Sequence, residues 1–118
     1  MPLQIQADDF YSVMSHPMRL RSVVLLHQAG ELCVCEIMHS LDLQQPVASR
    51  HLAQLKAAGI LESRKAGLWV YYTINSQLPK WVLNSLNETF KGIARQSPYV
   101  DDFKLLNNMQ DRPASECC

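Results

Sequence analysis

No apolar run in this chain approaches the roughly 18–20 residues that a bilayer-spanning helix requires, so no membrane-embedded segment is expected. The opening Met1-Pro2-Leu3-Gln4 lacks the basic stretch and apolar core of a secretory signal, and the expected compartment is the cytoplasm. Net charge is missing too: 11 Lys and Arg balance 11 Asp and Glu, leaving no overall basic field to attract nucleic acid. Internal repeats and low-complexity segments are absent, which gives no sign of a repeat array. A Cys-x-x-Cys, a βαβ alternation and an anion-binding loop are also lacking, so a small thiol oxidoreductase has none of its usual parts. What remains is 118 residues, 47% hydrophobic and 19% charged, the composition of one ordinary globular domain with a modest core.

Two thiols separated by one residue sit in Glu31-Leu32-Cys33-Val34-Cys35-Glu36, and an adjacent pair, Cys117 and Cys118, ends the chain. In a reducing compartment, clustered cysteines bind metals or carry redox chemistry more often than they build a disulfide framework. The balanced charge is unevenly spread. Between Gln44 and Tyr72 lie Arg50, Lys56, Arg64 and Lys65 against Glu62 alone, with His51 as a further donor. A local basic stretch of this kind suits a nucleic-acid footprint, although solvated surface charge gives the same count.

Helical spacing of Phe10, Val13 and Met14 follows Asp8 and Asp9, which suit a first turn. Pro17 opens a second helix that runs to about Gln28, where Gly30 stops it. After an extended link from Glu31 to Cys33, a brief third helix from about Val34 to Leu41 buries Ile37 and Leu41. Asp42-Leu43-Gln44-Gln45 makes a turn and Pro46 starts a fourth helix, ended by Gly59. Its inner face is Ala48, Leu52 and Leu55; Val47, Ser49, Arg50 and Gln54 point outward. Two helices across a short turn, the second with a polar outer face, form a helix-turn-helix pattern.

Two strand-like runs follow, Ile60 to Lys65 and Leu68 to Ile74, joined through Ala66-Gly67 as a β-hairpin. A hairpin directly behind a recognition helix is a wing, and its basic arm, Arg64 and Lys65, suits phosphate contacts. Pro79 opens a fifth helix with Trp81, Val82, Leu86, Phe90 and Ile93 along one stripe. With few partners left within the chain, this stripe is expected to form a dimer surface against the first helix. Val100, Phe103 and Leu106 suggest one more short helix before a mobile tail. The expected fold is mainly α with a small β-hairpin, a homodimeric winged helix-turn-helix. Residues 1–96 form that domain, with dimerisation helices at both ends, and 97–118 form a partly flexible C-terminal extension.

The chain resembles the arsenic-repressor (ArsR/SmtB) family of winged-helix metalloregulators over roughly Asp8 to Ile93. The resemblance is carried by Ser15-His16-Pro17-Met18-Arg19-Leu20, Glu31-Leu32-Cys33-Val34-Cys35-Glu36, Ser49-Arg50-His51-Leu52, and Ala58-Gly59-Ile60-Leu61. It implies a homodimeric repressor that binds double-stranded operator DNA and leaves it when a thiophilic inducer binds. The DNA contacts expected on this basis are Gln45, Val47, Ser49, Arg50 and His51 in the recognition helix, with Arg64 and Lys65 in the wing. The inducer that the resemblance implies is trivalent arsenic or antimony, as arsenite, antimonite or an organoarsenical, bound transiently rather than as a permanent cofactor. Its candidate ligands are Cys33, Cys35, Cys117 and Cys118. Zinc-sensing relatives carry Asp and His ligands on the last helix, and Trp81 to Ile93 contains neither.

Members closest to the arsenite-sensing pattern have a third cysteine three residues after the second, where this chain has Met38. A thioether is a poorer donor than a thiolate. Either two sulfurs suffice, as for a monosubstituted arsenical, or the third comes from Cys117 or Cys118. The position of Cys33 and Cys35 at a helix entrance is expected to favour deprotonation through the helix dipole. Gathering both on one centre is expected to hold, or force, the helix start out of helical geometry and so reorient the DNA-reading surface. Two other readings stand beside this one: a thiol redox switch or cadmium- or lead-sensing repressor of the same fold, and, from another class, a thiol enzyme such as an arsenate reductase.

Overall fold

Proline and glycine punctuate the chain, and its regular elements fall between them. The computed structural model describes residues 4–109. Helix α1 (Ala7–Met14) leads to α2 (Pro17–Ala29), whose first turn is set by Pro17 and capped by His16. The imidazole Nδ1 accepts the Met18 backbone N–H at 3.1 Å, satisfying one of the orphan donors of the helix start. Gly30 closes α2 at φ 93°, a left-handed conformation that a side chain would strain. The rest follows as β1 (Glu31–Cys33), α3 (Val34–Leu41), α4 (Gln45–Ala57), β2 (Leu61–Ala66), β3 (Trp69–Ile74), α5 (Lys80–Ile93) and α6 (Tyr99–Asn107).

The mainly helical fold with a hairpin agrees with the sequence, but the sheet has three strands. The link Glu31–Cys33 pairs antiparallel with β3, placing Glu31 opposite Thr73 and Cys33 opposite Tyr71, so the order is β1-β3-β2. The strand that carries the first thiol is therefore a strand of the wing.

The core is built from Val23, Val24, Leu25 and Leu26 of α2, Ile37 and Leu41 of α3, and Leu52 and Leu55 of α4, closed by Leu32, Ile60 and Leu61. Helix α5 adds Val82, Leu86 and Phe90 to it. That corrects the expectation that this stripe waits for a partner: its centre is buried within the chain itself. The rings of Phe10 and Trp81 pack in a T-shape with centroids 5.5 Å apart, joining α1 to α5, while Tyr11 and Trp81 keep apolar surface in solvent.

Helix α6 packs against both α2 and α3. Leu106 is buried there, and both carboxylate oxygens of the buried Asp102 accept from Arg21 of α2, Nε at 2.9 Å and Nη2 at 2.6 Å. The bidentate fork fixes the orientation of α6 as well as its position. Helix α3 thus lies between α6 and the recognition helix. No helix among the described residues is long and apolar enough to cross a membrane.

Candidate nucleic-acid interface and thiol site

Helix α4 turns Ala48, Leu52 and Leu55 into the core, which leaves Gln45 and Arg50 exposed and Val47 and Ser49 half-buried on the outer side. Those four side chains have the outward register that base reading needs. His51 does not. It is only 8% exposed, its ring lies 4.4 Å from that of His16, and burial, with smaller contributions from the nearby His16, Arg19 and Arg50 charges, pushes its pKa down. The expectation that His51 faces outward is corrected by helical geometry: it follows Arg50 by 100° and falls on the α2 side.

In the wing, Lys65 is exposed, and Arg64 is already engaged. Its guanidinium donates to both oxygens of Glu31, at 2.8 and 2.7 Å, and lies 4.6 Å from the centre of the Tyr71 ring. The Arg64 hydrogen bond holds the Glu31 carboxyl below its ordinary pKa. Arg64 therefore ties β2 to β1, and a phosphate would have to compete with Glu31 for it. The wing tip presents Leu68 fully to solvent.

The thiol site forms where β1 becomes α3. Cys33 is the N-cap, with extended backbone at ψ 167°, and Cys35 lies in the first turn. Their sulfurs are 3.3 Å apart. Metal–sulfur bonds of about 2.3 Å with open angles place two sulfurs of one centre roughly 3.3–3.8 Å apart, so the pair is already gathered. Of the two expected routes, holding or forcing the helix start out of helical geometry, two sulfurs need no forcing, because Cys33 is already extended and the strand-to-helix junction supplies the convergence. Cys35 is in a disulfide, and both sulfurs serve one ligand only when that bond is reduced.

A capping box joins the site to the helix. The Cys33 sulfur accepts the Glu36 backbone N–H, and the buried Glu36 carboxylate accepts the Cys33 N–H at 2.9 Å. Cysteine takes the place that serine or threonine usually fills. Burial pushes the Cys33 thiol pKa up, and the charge of Glu36 adds to this; backbone N–H bonds from Glu36 and Cys35 pull the other way and lose. The expected deprotonation by the helix dipole is thus outweighed at Cys33. Among the described residues no three or more His, Cys, Asp or Glu side chains converge as a metal site. Cys117 and Cys118 lie outside the described residues.

Sequence reasoning missed three functional candidates here. Glu36 was legible as the last member of a Cys-x-x-Glu capping box. Arg19 and His16, which reach α4 from α2, gave no signal beyond their place in the Ser15–Leu20 segment.

A helix-turn-helix followed by a wing, with a sulfur pair at the base of the first of its two helices, defines a winged-helix regulator. The chain matches the bacterial regulatory protein, arsR family, over residues 16–63. It is 42% identical to the arsenic resistance transcriptional regulator ArsR2 of Pseudomonas putida over 97% of this chain and 99% of that protein. To the arsenical resistance operon repressor of Escherichia coli it is 37% identical, over 77% and 74% of the two chains. Among solved structures, the AntR antimony-specific transcriptional repressor superposes with a TM-score of 0.60 at 25% identity, covering 71% of this chain and 73% of that one. The chain belongs to the arsR family of bacterial regulatory proteins, which makes it a regulator and not a thiol enzyme.

Proposed function

We propose that this protein represses transcription by binding operator DNA as a homodimer, and is released when trivalent arsenic binds the thiolates of Cys33 and Cys35. The observation that carries this reading is the 3.3 Å separation of two sulfurs at the start of α3, a helix packed directly on α4. Thiolates select soft centres, and the names of the relatives point to arsenic and antimony. Base reading falls to Gln45, Val47, Ser49 and Arg50, and phosphate contact to Lys65 and, after exchange with Glu31, Arg64. Tyr11 and Trp81, exposed beside the α1–α5 contact, mark the surface for a second copy.

Coupling follows from the double duty of the Cys33 sulfur. It accepts the N–H that caps α3 and is also an inducer ligand. Electron density committed to a metalloid is withdrawn from the cap, and losing an N-cap costs about 1 kcal/mol of helix stability. Loosening the start of α3 disturbs its packing on α4, and β1 carries the same disturbance to the wing. Reciprocity then requires weaker inducer binding by the DNA-bound form. The chemistry at Met38 leaves a two-sulfur site at Cys33 and Cys35 as the local unit, with Cys117 or Cys118 as the candidate source of a third ligand for arsenite.

A mobility shift of the reduced protein on its promoter DNA, with arsenite, antimonite, phenylarsenous acid, cadmium, zinc or peroxide added in turn, tests the reading. Release by the trivalent metalloids at concentrations that leave zinc without effect is expected. Release by cadmium or peroxide alone would reject it. The disulfide at Cys35 favours a redox reading as the runner-up, and the peroxide lane decides between them.

A further inference from the structure

The lead-in to α2 and the middle of α4 meet in a polar cluster that DNA reading, as described above, does not use. Arg19 is its centre. Its Nε donates to the carbonyl oxygen of Val13 at 2.6 Å, in the last turn of α1, where helix carbonyls have no partner within their own helix. Its Nη1 donates to Oε1 of Gln54 on α4 at 2.7 Å and lies 3.5 Å from Nδ1 of His51. His16 completes the group: its Nδ1 caps α2, and its ring rests against that of His51. One guanidinium therefore joins the end of α1, the first turn of α2 and the recognition helix.

We infer that Arg19 and His51 are positioning residues that set the angle of the recognition helix, and that neither touches DNA in the operator complex. The inference rests on the proposed operator binding. The core residues that α2 and α4 contribute are aliphatic, Val23 to Leu26 on one and Leu52 and Leu55 on the other, and apolar contacts are not directional. Hydrogen bonds are directional, and the planar fork of arginine reaches two acceptors on different elements in a way that a lysine ammonium does not. The lever arm makes the angle matter. From His51 to Gln45 the helix rises about 9 Å, so a rotation of roughly 10° moves the first reading residue about 1.5 Å. Base contacts tolerate a displacement of only about 0.5 Å.

The burial of His51 supports the same assignment, because reaching a base edge would require it to leave His16 and Arg19. Helix α1 is also part of the surface proposed for the second copy. Arg19 thus sits on the path between subunit pairing and the angle at which each α4 meets the groove.

The test uses the full-length reduced protein and a duplex selected by the wild type from a random-sequence pool, with a scrambled duplex as control. Arg19→Ala and His51→Gln should each weaken binding to the selected duplex on the order of tenfold to a hundredfold, the loss of one or two base contacts. Binding to the scrambled duplex and the slope of log K against log salt should stay as in the wild type. A lost phosphate contact would instead weaken both duplexes alike and reduce the slope by about 0.9. Arg19→Lys should rescue only partly. Gln54→Ala removes one acceptor from an exposed side chain and keeps the inference testable if Arg19→Ala does not fold; combined with Arg19→Lys it should add nothing to the loss. A slope reduced by about one unit, or selected-duplex affinity within about twofold of wild type in all these variants, would overturn the assignment. Failure of the wild type itself to prefer any duplex would overturn the operator reading instead, and is seen before any variant is made.

Discussion

Asp102→Ala is the perturbation that the structure makes most quantitative. The carboxylate is 2% exposed and accepts two hydrogen bonds from Arg21, whose side chain is 18% exposed. Hydrogen bonding to Asp102 is also the main cause of the raised Arg21 pKa. Removing the carboxylate leaves a guanidinium that is mostly shielded from water and has lost its counter-charge. Breaking a fully buried pair in this way costs about 3–5 kcal/mol; with Arg21 still partly wetted, about 2–3 kcal/mol is expected. For a domain of this size that is a fall in Tm of roughly 8–12 °C. The assay is a thermal melt followed by far-ultraviolet circular dichroism in reducing buffer. Asp101→Ala, at the exposed neighbouring position, serves as control and should stay within about 0.5 kcal/mol. The double variant Arg21→Met with Asp102→Ala should recover part of the loss, because it no longer buries an unpaired charge. A fall of less than about 3 °C for Asp102→Ala would refute the view that this pair locks α6 onto α2.

Cys33→Ser and Cys35→Ser, in reducing buffer, should each retain operator binding within about twofold and lose release by arsenite; serine is a strong N-cap, so the start of α3 survives the first change. A titration of operator complexes with arsenite measures both. Lys65→Ala should lower the salt slope of DNA binding by about 0.9, and Arg64→Ala by less, because Glu31 already holds that guanidinium; equal reductions would show that Arg64 leaves Glu31 for phosphate. Burial lowers the pKa values of both His27 and His51 in the folded chain. The unfolded chain therefore takes up these protons first, and stability should decline as pH falls below about 6.5, until the folded imidazoles protonate too. Urea unfolding from pH 7.5 to pH 5 should show this decline, and His27→Gln with His51→Gln should flatten it.

Local signals carried most of the fold. Pro17 and Gly30 bracket α2, Ile37 and Leu41 mark α3, and Ala48, Leu52 and Leu55 give the buried face of α4 as observed. The regular elements were legible because each has its own periodicity or stop residue. Destinations were less legible. Three residues from Glu31 to Cys33 are too few for alternation to reveal a strand, so the third strand of the wing was read as a link. The stripe on α5 was visible, but periodicity shows only that a face is apolar, not whether the chain or a second copy covers it. Arg21 and Asp102 are 81 residues apart in sequence, and no local pattern joins them. At the thiol site the spacing of Cys33 and Cys35 was informative, while the convergence of their sulfurs depends on backbone angles at the junction. His51 lies one step past the outward arc of α4, so periodicity alone does not show that it turns inward.

The inward turn of His51 also limits how much DNA one copy can inspect. From Gln45 to Arg50 the helix rises about 7.5 Å, and base pairs succeed one another every 3.4 Å or so, which makes about three pairs within reach. Any three-pair word recurs by chance about once in 64 positions, and two such words at fixed spacing about once in 4,000. Against at least roughly a million competing sites in a genome, even the paired reading leaves on the order of hundreds of matches. Base edges alone therefore do not single out an address. On the proposed dimeric operator reading, the remaining selectivity lies in the DNA between and beside the two words, in how readily that sequence bends and how wide its minor groove is.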